Sequence, residues 1–282
     1  EGGRHNTMSI YTLAIPPDPP VLEYRKMLLL QLYMIYQRGD GQAEIEQILY
    51  KYGMPHYGVD TSLDVIKAEF EEVLNFFSLF QPENLFHCVI AARIKQVAKY
   101  IDYCALDMLA PFLNSEKYGI YSALASHFAE DYSDGYAKGV QRHKERVCKL
   151  VEGYAPQDID CLIQVCLESS QTFDKKEREL VAGLGYVFEA LQDQQQLYEY
   201  LVDAYMRADT PYKIHAGRIL ERLFEIRPVL EVKEFITQYR YNQQNVWLWF
   251  FFSLMPEQQV SAHWTAELLQ YLDTPDVELK TS

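Results

Sequence analysis

The sequence predicts an all-α chain, an irregular α-solenoid or superhelix of about fourteen helices paired as tetratricopeptide-like hairpins. Three observations lead there. Apolar residues recur at helical spacing almost without a break over residues 21–272. Strand-like alternation is confined to one weak stretch, residues 8–15. Glycines and prolines fall mostly between the apolar stripes, where they punctuate rather than interrupt.

Taken in order, residues 1–7 are polar and glycine-bearing, and residues 8–15 suit one strand or an extended arm. Pro16, Pro17, Pro19 and Pro20 flank Asp18 as a stiff connector, so residues 1–20 form an N-terminal arm and residues 21–282 the helical-repeat domain. Asp18 followed by two prolines suits the first turn of a helix, expected from Val21. Residues 27–36, MLLLQLYMIY, are apolar nearly all round, which requires cover on more than one side, by later helices or by a partner domain. Gly39 and Gly41 end that helix; the next starts near Gln42 with Ile45, Ile48, Leu49 and Tyr52 on one face. Gly53, Pro55 and Gly58 precede a helix from Ser62, and Pro82 one from Glu83. Short helices follow from Cys104 and Glu116, and Gly135 and Gly139 precede another from Val140. Pro156 opens one at Gln157, and from Glu177 a strong stripe carries Leu180, Leu184, Val187, Phe188 and Leu191. The remaining starts are Gln195, Pro211, Val229, Gln244 and Glu257, the last after Pro256. The mean interval between starts is about 18 residues, hence about 36 per hairpin, the spacing of helix-pair repeats although no repeat consensus recurs.

Charge and cysteine usage narrow the function. With 40 acidic against 26 basic residues the formal charge is −14, which repels phosphate backbones and anionic lipid; nucleic acid and membrane are excluded as first partners. Residues 1–150 carry 15 basic against 19 acidic residues and residues 151–282 carry 11 against 21, so the acidity lies in the second half. Cys88, Cys104, Cys148, Cys161 and Cys166 form neither a CxxC pair nor a framework and read as reduced core thiols of a cytoplasmic protein. No apolar run approaches the roughly 20 residues of a bilayer span, which predicts a soluble chain. The lack of a methionine before Glu1 points to a processed product, a tag remnant or a domain of a larger protein, with Met8 an equally good start.

No motif supplies chemistry. None of the seven histidines lies in HExxH, and His87 and Cys88 point to different helix faces. His127 and Asp131 share a face, but one pair does not hold a metal. Residues 130–141 resemble a calcium loop only at Asp134-Gly135; the third and twelfth positions are Tyr132 and Gln141, so a polar inter-helix loop is expected. Gly183 and Gly185 sit inside a stripe and permit close helix packing rather than cradling phosphate. The run from Arg142 through His143 and Lys144 to Arg146 is interrupted by Glu145 and reads as helix surface. No cofactor, metal or catalytic residue is expected, and the chain is read as having no enzyme activity.

Tyrosine is in excess, with 22 copies. Tyr132 and Tyr136, and Tyr239 and Tyr241 around Arg240, sit where helices meet loops and suit protein recognition. Residues 246–255 carry five aromatic rings that one stripe cannot hide, so the outward-facing member of the Trp247 and Trp249 pair is a candidate anchor.

The run EYRKMLLLQLYMIYQRGDGQAEIEQILYKYG (residues 23–53), followed by QPENLFHCVIAARIKQV (residues 81–97), resembles the helical region after the nucleotide-binding core of bacterial STAND NTPases of antiviral defence. The likeness is one of texture and covers the first third of the chain. It implies a C-terminal helical-repeat sensor that binds a viral protein, in a parent protein whose ATPase then oligomerises. The expected function is thus a protein-recognition module with a protein partner and self-association through that parent. An all-α enzyme with a dispersed small-molecule site and a structural or oligomerisation domain are the alternatives. The identity of the partner and the oligomeric state are not legible in the sequence.

Overall fold

The computed structural model describes residues 17–53, 62–125, 135–172, 179–208, 216–238 and 244–254. Among them it is all-α: thirteen α-helices, two 3-10 turns and no strand, 82% helical against the two thirds that the succession of stripes leads one to expect. The chain divides into two compact units, residues 1–119 and 120–282, within the stretch read from sequence as one repeat domain.

In the first unit, α1 (Pro19–Gln37), α2 (Gln42–Tyr50), α3 (Leu63–Asn75) and α4 (Leu85–Tyr100) are followed by the short α5 (Ala110–Leu113). α1 begins two residues before Val21: the prolines fill the first turn, where no N–H is needed, and the Asp18 carbonyl accepts from Val21 and Leu22 at 2.9 and 3.0 Å. Ser62 caps α3 through Val65 N (3.3 Å), and Asn84 caps α4 through Phe86 N (2.8 Å). Gly53 is required twice over, since it holds φ +67° and a Cβ there would lie 2.7 Å from Val97 Cγ2. α1 packs on α3 and α2 on α4.

The segment covered all round is the first two turns of α4, not α1. Every residue from Leu85 through Ala91 is buried, whereas α1 buries only Leu29 and Tyr36 and exposes Tyr24, Met27, Leu28, Leu30 and Ile35. Among the described residues α2 and α3 pack on one face of α1 and no element covers the other, so later helices do not supply the second half of the expected cover there. Ile48 also departs from expectation: Ile45 and Leu49 are buried, but Ile48 is 48% exposed on the far edge of the short α2.

Two polar clusters are sealed into this unit. Glu69, 1% exposed, receives a forked pair of bonds from Arg25 (Nε 2.7 Å, Nη2 2.5 Å) and one from Tyr52 Oη (3.0 Å). Glu46 accepts from Tyr36 Oη (2.8 Å) and His87 Nε2 (3.0 Å). Gln81 N–H donates to His87 Nδ1 at 2.9 Å, which fixes the proton of the neutral ring on Nε2.

The second unit holds α7 (Tyr136–Val151), α8 (Pro156–Thr172), α9 (Glu179–Leu191), α10 (Gln195–Ala208), α11 (Ala216–Ile226), α12 (Val229–Gln238) and α13 (Gln244–Leu254); the division falls within α6 (Glu116–Leu124). α7 packs on α9, α8 on α10 and α11 on α13, the same one-helix skip as in the first unit. The α9 stripe is buried as its spacing requires: Leu180, Leu184, Val187, Phe188 and Leu191 are all at most 5% exposed. α7 starts at Tyr136, earlier than Val140, so residues 136–141 are helix rather than the expected polar loop.

The carbonyl end of α6 is gripped by α7 and α9. His143 Nε2 donates to Leu124 O (2.9 Å), and Arg146 Nη2 to Ala125 O (3.1 Å), satisfying acceptors that a helix end leaves open. His143, 1% exposed, is thus an inward group and Arg146 is half-buried, a correction to the reading of residues 142–146 as surface. Gly183 makes the approach possible: a Cβ there would lie 2.1 Å from Leu124 O. Gly185 does not share that role, because nothing lies within 4 Å of its virtual Cβ.

Candidate recognition surface

On the second unit an open groove follows α7 and α9, with a volume of about 910 Å³. It adjoins a cavity of about 530 Å³ between α9, α10 and α11, the two sharing Tyr186, Glu189 and Gln192. The lining contains five cations, Lys144, Arg146, Lys149, Arg218 and Arg222, against three carboxylates, Glu145, Glu152 and Glu189. Residues 120–282 carry 16 basic against 25 acidic residues, so the groove is a locally positive stripe on an acidic unit.

Several of these cations are already engaged. Lys144 Nζ lies 2.5 Å from Glu189 Oε1 and 5.7 Å from the centre of the Tyr186 ring. Arg222 donates from Nε to Gln192 O (3.0 Å) and from Nη1 to Glu225 Oε2 (2.7 Å). Arg218 and Lys149 are exposed and in no ion pair among the described residues. Tyr198 is 2% exposed and borders the cavity, and burial pushes its phenol above the ordinary value.

The aromatic residues singled out from sequence fall in different places. Trp247 is fully buried, its ring 6.4 Å from that of Tyr205, which makes it the packing member of its pair. Trp249 is the outward member, 41% exposed and edge-on to Phe250 at 4.7 Å. Tyr136 is 77% exposed at the first residue of α7. Tyr132, Tyr239, Arg240 and Tyr241 lie outside the described residues, as do His127 and Asp131.

The Glu46 carboxyl is pushed up by burial but held below its ordinary range by His87 and Tyr36, and Glu199 is lowered by Arg227. A general acid needs the opposite shift. Of the cysteines only Cys88 and Cys166 are core thiols, burial raising both and pushing Cys166 to about 12. Cys104 and Cys148 are exposed and Cys161 is half-buried, since each falls on the polar edge of its stretch; the expectation of five core thiols is corrected accordingly. Among the described residues no group of three or more His, Cys, Asp or Glu could hold a metal ion, and no helix is long and apolar enough to cross a membrane.

The groove residues were not picked out from sequence because they come from separate helices. Two local signals pointed to them: Arg218 and Arg222 one turn apart on the polar face of α11, and a glycine at 185 that no helix contact requires. Comparison with family models, with curated proteins and with solved structures returned no match.

Proposed function

We propose that this chain is a protein-recognition module that binds a segment of a partner protein in the groove of its second unit and has no catalytic chemistry of its own. The observation that carries the reading is the continuous groove across α7, α9 and α11, aromatic and net cationic on an otherwise acidic unit. The one-helix skip in packing supports it, because stacked helical hairpins present one set of helices along a shared face that suits extended ligands. Trp249 supplies an exposed aromatic anchor on α13. Through the resemblance of residues 23–53 and 81–97 to STAND NTPases, the proposal extends to a cytoplasmic sensor of a viral protein.

The test is to pan a random peptide display library on the immobilised chain. A consensus that binds the wild type and loses affinity for a Lys144→Glu, Lys149→Glu double variant supports the reading. Failure to enrich any consensus over repeated rounds refutes it.

A further inference from the structure

We propose that the cavity between α9, α10 and α11 receives an extended peptide of the partner, which lays an apolar or aromatic side chain over Gly185 and sets a neighbouring carboxylate against Arg218 and Arg222. This deepens the recognition reading and rests on it.

The floor argues for an inserted side chain. A glycine inside a helix costs about 1 kcal/mol relative to alanine. At Gly183 the close approach of Leu124 explains that cost; at Gly185, two residues on, no neighbour lies within 4 Å of a Cβ. The space above Gly185 belongs to the cavity, and the buried rings of Phe188 and Tyr198 with Ile219 give it apolar walls. About 530 Å³ accommodates a large side chain with its flanking backbone.

The donors argue for the carboxylate. Tyr198, 2% exposed as a residue, borders the cavity, and its hydroxyl forms no hydrogen bond among the described residues. Arg218 faces the same cavity unpaired, and Arg222 keeps Nη2 outside its bonds to Gln192 and Glu225. The two guanidiniums only donate and the phenol can donate as well, so the complementary group is an anionic acceptor. Glu189 on the rim and the acidic surroundings favour a singly charged carboxylate over a phosphate dianion. An extended peptide fits better than a compact acid, because the cavity continues past Tyr186 into the α7–α9 groove, where Lys149 is unpaired among the described residues.

The experiment uses the full chain and fluorescein-labelled octapeptide pools with Gly/Ser flanks around a central Phe-Glu, Phe-Gln, Phe-Lys or Ala-Glu pair, each with a free or amidated C-terminus, read by anisotropy. The Phe-Glu pool should bind about tenfold more tightly than the other three, as expected for charge-assisted bonds to a carboxylate. Arg218→Glu should reverse the preference between Phe-Glu and Phe-Lys, Tyr198→Phe should weaken binding several-fold, and Gly185→Leu should abolish it with no fall in the melting temperature. If Gly185→Leu perturbs the melt, Ala182→Phe plugs the same cavity from an exposed position. A preference for free over amidated termini identifies the carboxylate as a chain end; indifference identifies it as a side chain. Equal binding of Phe-Glu and Phe-Gln, binding that survives both plugging variants, or no binding at about 1 mM overturns the proposal. A display consensus that binds the plugged variants unchanged leaves recognition standing and removes this pocket.

Discussion

Substituting alanine for two glycines on the same helix should move stability in opposite directions. At Gly183 the new Cβ would lie 2.1 Å from Leu124 O, 2.6 Å from Leu124 Cα and 2.7 Å from Leu124 C, all backbone atoms that no side-chain rotation can clear. Reaching an ordinary contact of about 3.4 Å requires the end of α6 to retreat by about 1.3 Å, at an overpacking cost of roughly 1–3 kcal/mol. The same retreat stretches the 2.9 Å bond from His143 to Leu124 O beyond reach, adding roughly 1–3 kcal/mol for a buried unsatisfied acceptor. Alanine returns about 1 kcal/mol of helix propensity, so Gly183→Ala should destabilise by about 1–5 kcal/mol. Gly185→Ala meets nothing within 4 Å and should stabilise by up to about 1 kcal/mol. Urea unfolding followed by circular dichroism at the helical band resolves both. With a slope of about 2–3 kcal/mol per molar, the midpoint should fall by roughly 1 M for Gly183→Ala and rise slightly for Gly185→Ala. Equal effects at the two positions, or a Gly183→Ala protein as stable as the wild type, would refute the close approach of α6 to α9.

Trp247→Ala should cost about 3–5 kcal/mol of stability, because it empties a fully buried site, while Trp249→Ala should leave the melting temperature nearly unchanged and weaken a display-selected ligand by about 2 kcal/mol; unfolding of both variants removes Trp249 as an anchor. Arg25→Ala should cost about 3 kcal/mol by stranding the Glu69 carboxylate, and an Arg25→Met, Glu69→Leu double variant should recover most of it in the same melts. The folded Glu46 carboxyl lies below its unfolded value, so the stability it contributes is present above the ordinary glutamate range near 4.3 and is lost as pH falls through the lower folded value. Melts from pH 7 to pH 3 should therefore show a steeper acid decline in the wild type than in Glu46→Gln, and parallel curves would count against the Tyr36–Glu46–His87 cluster.

Helix positions were legible in the sequence because each breaker acts locally. Starts at Gln42, Gln195, Val229 and Gln244 agree with the structure residue for residue, each after a glycine, a proline or a polar stretch. Which helix becomes central was not legible. α1 and α4 are both richly apolar, and burial was decided by the number of neighbours that topology supplies, a non-local property. The inward turn of His143 and Arg146 was hidden for the same reason: a charge pattern reports which groups are polar but not that α6 offers open carbonyls beside them. The aromatic segment of α13 was legible as having two faces, and only packing against α10 and α11 distinguished Trp247 from Trp249.

Pairing helices mainly with the one after next or with the next gives the second unit nearest-neighbour energetics. Stability passes along it as a chain of links, the pairs α7–α9, α8–α10 and α11–α13 being joined through α9–α10 and α10–α11, instead of being shared through one centre. Loss of a link lowers the resistance of the adjoining hairpins to opening while distant ones keep theirs, so hydrogen-exchange protection should grade along the sequence rather than vanish everywhere at once. The clamp of His143, Arg146 and Gly183 on the end of α6 adds a tie of a different kind, fastening the first helix of this series to two later ones and resisting fraying at that end.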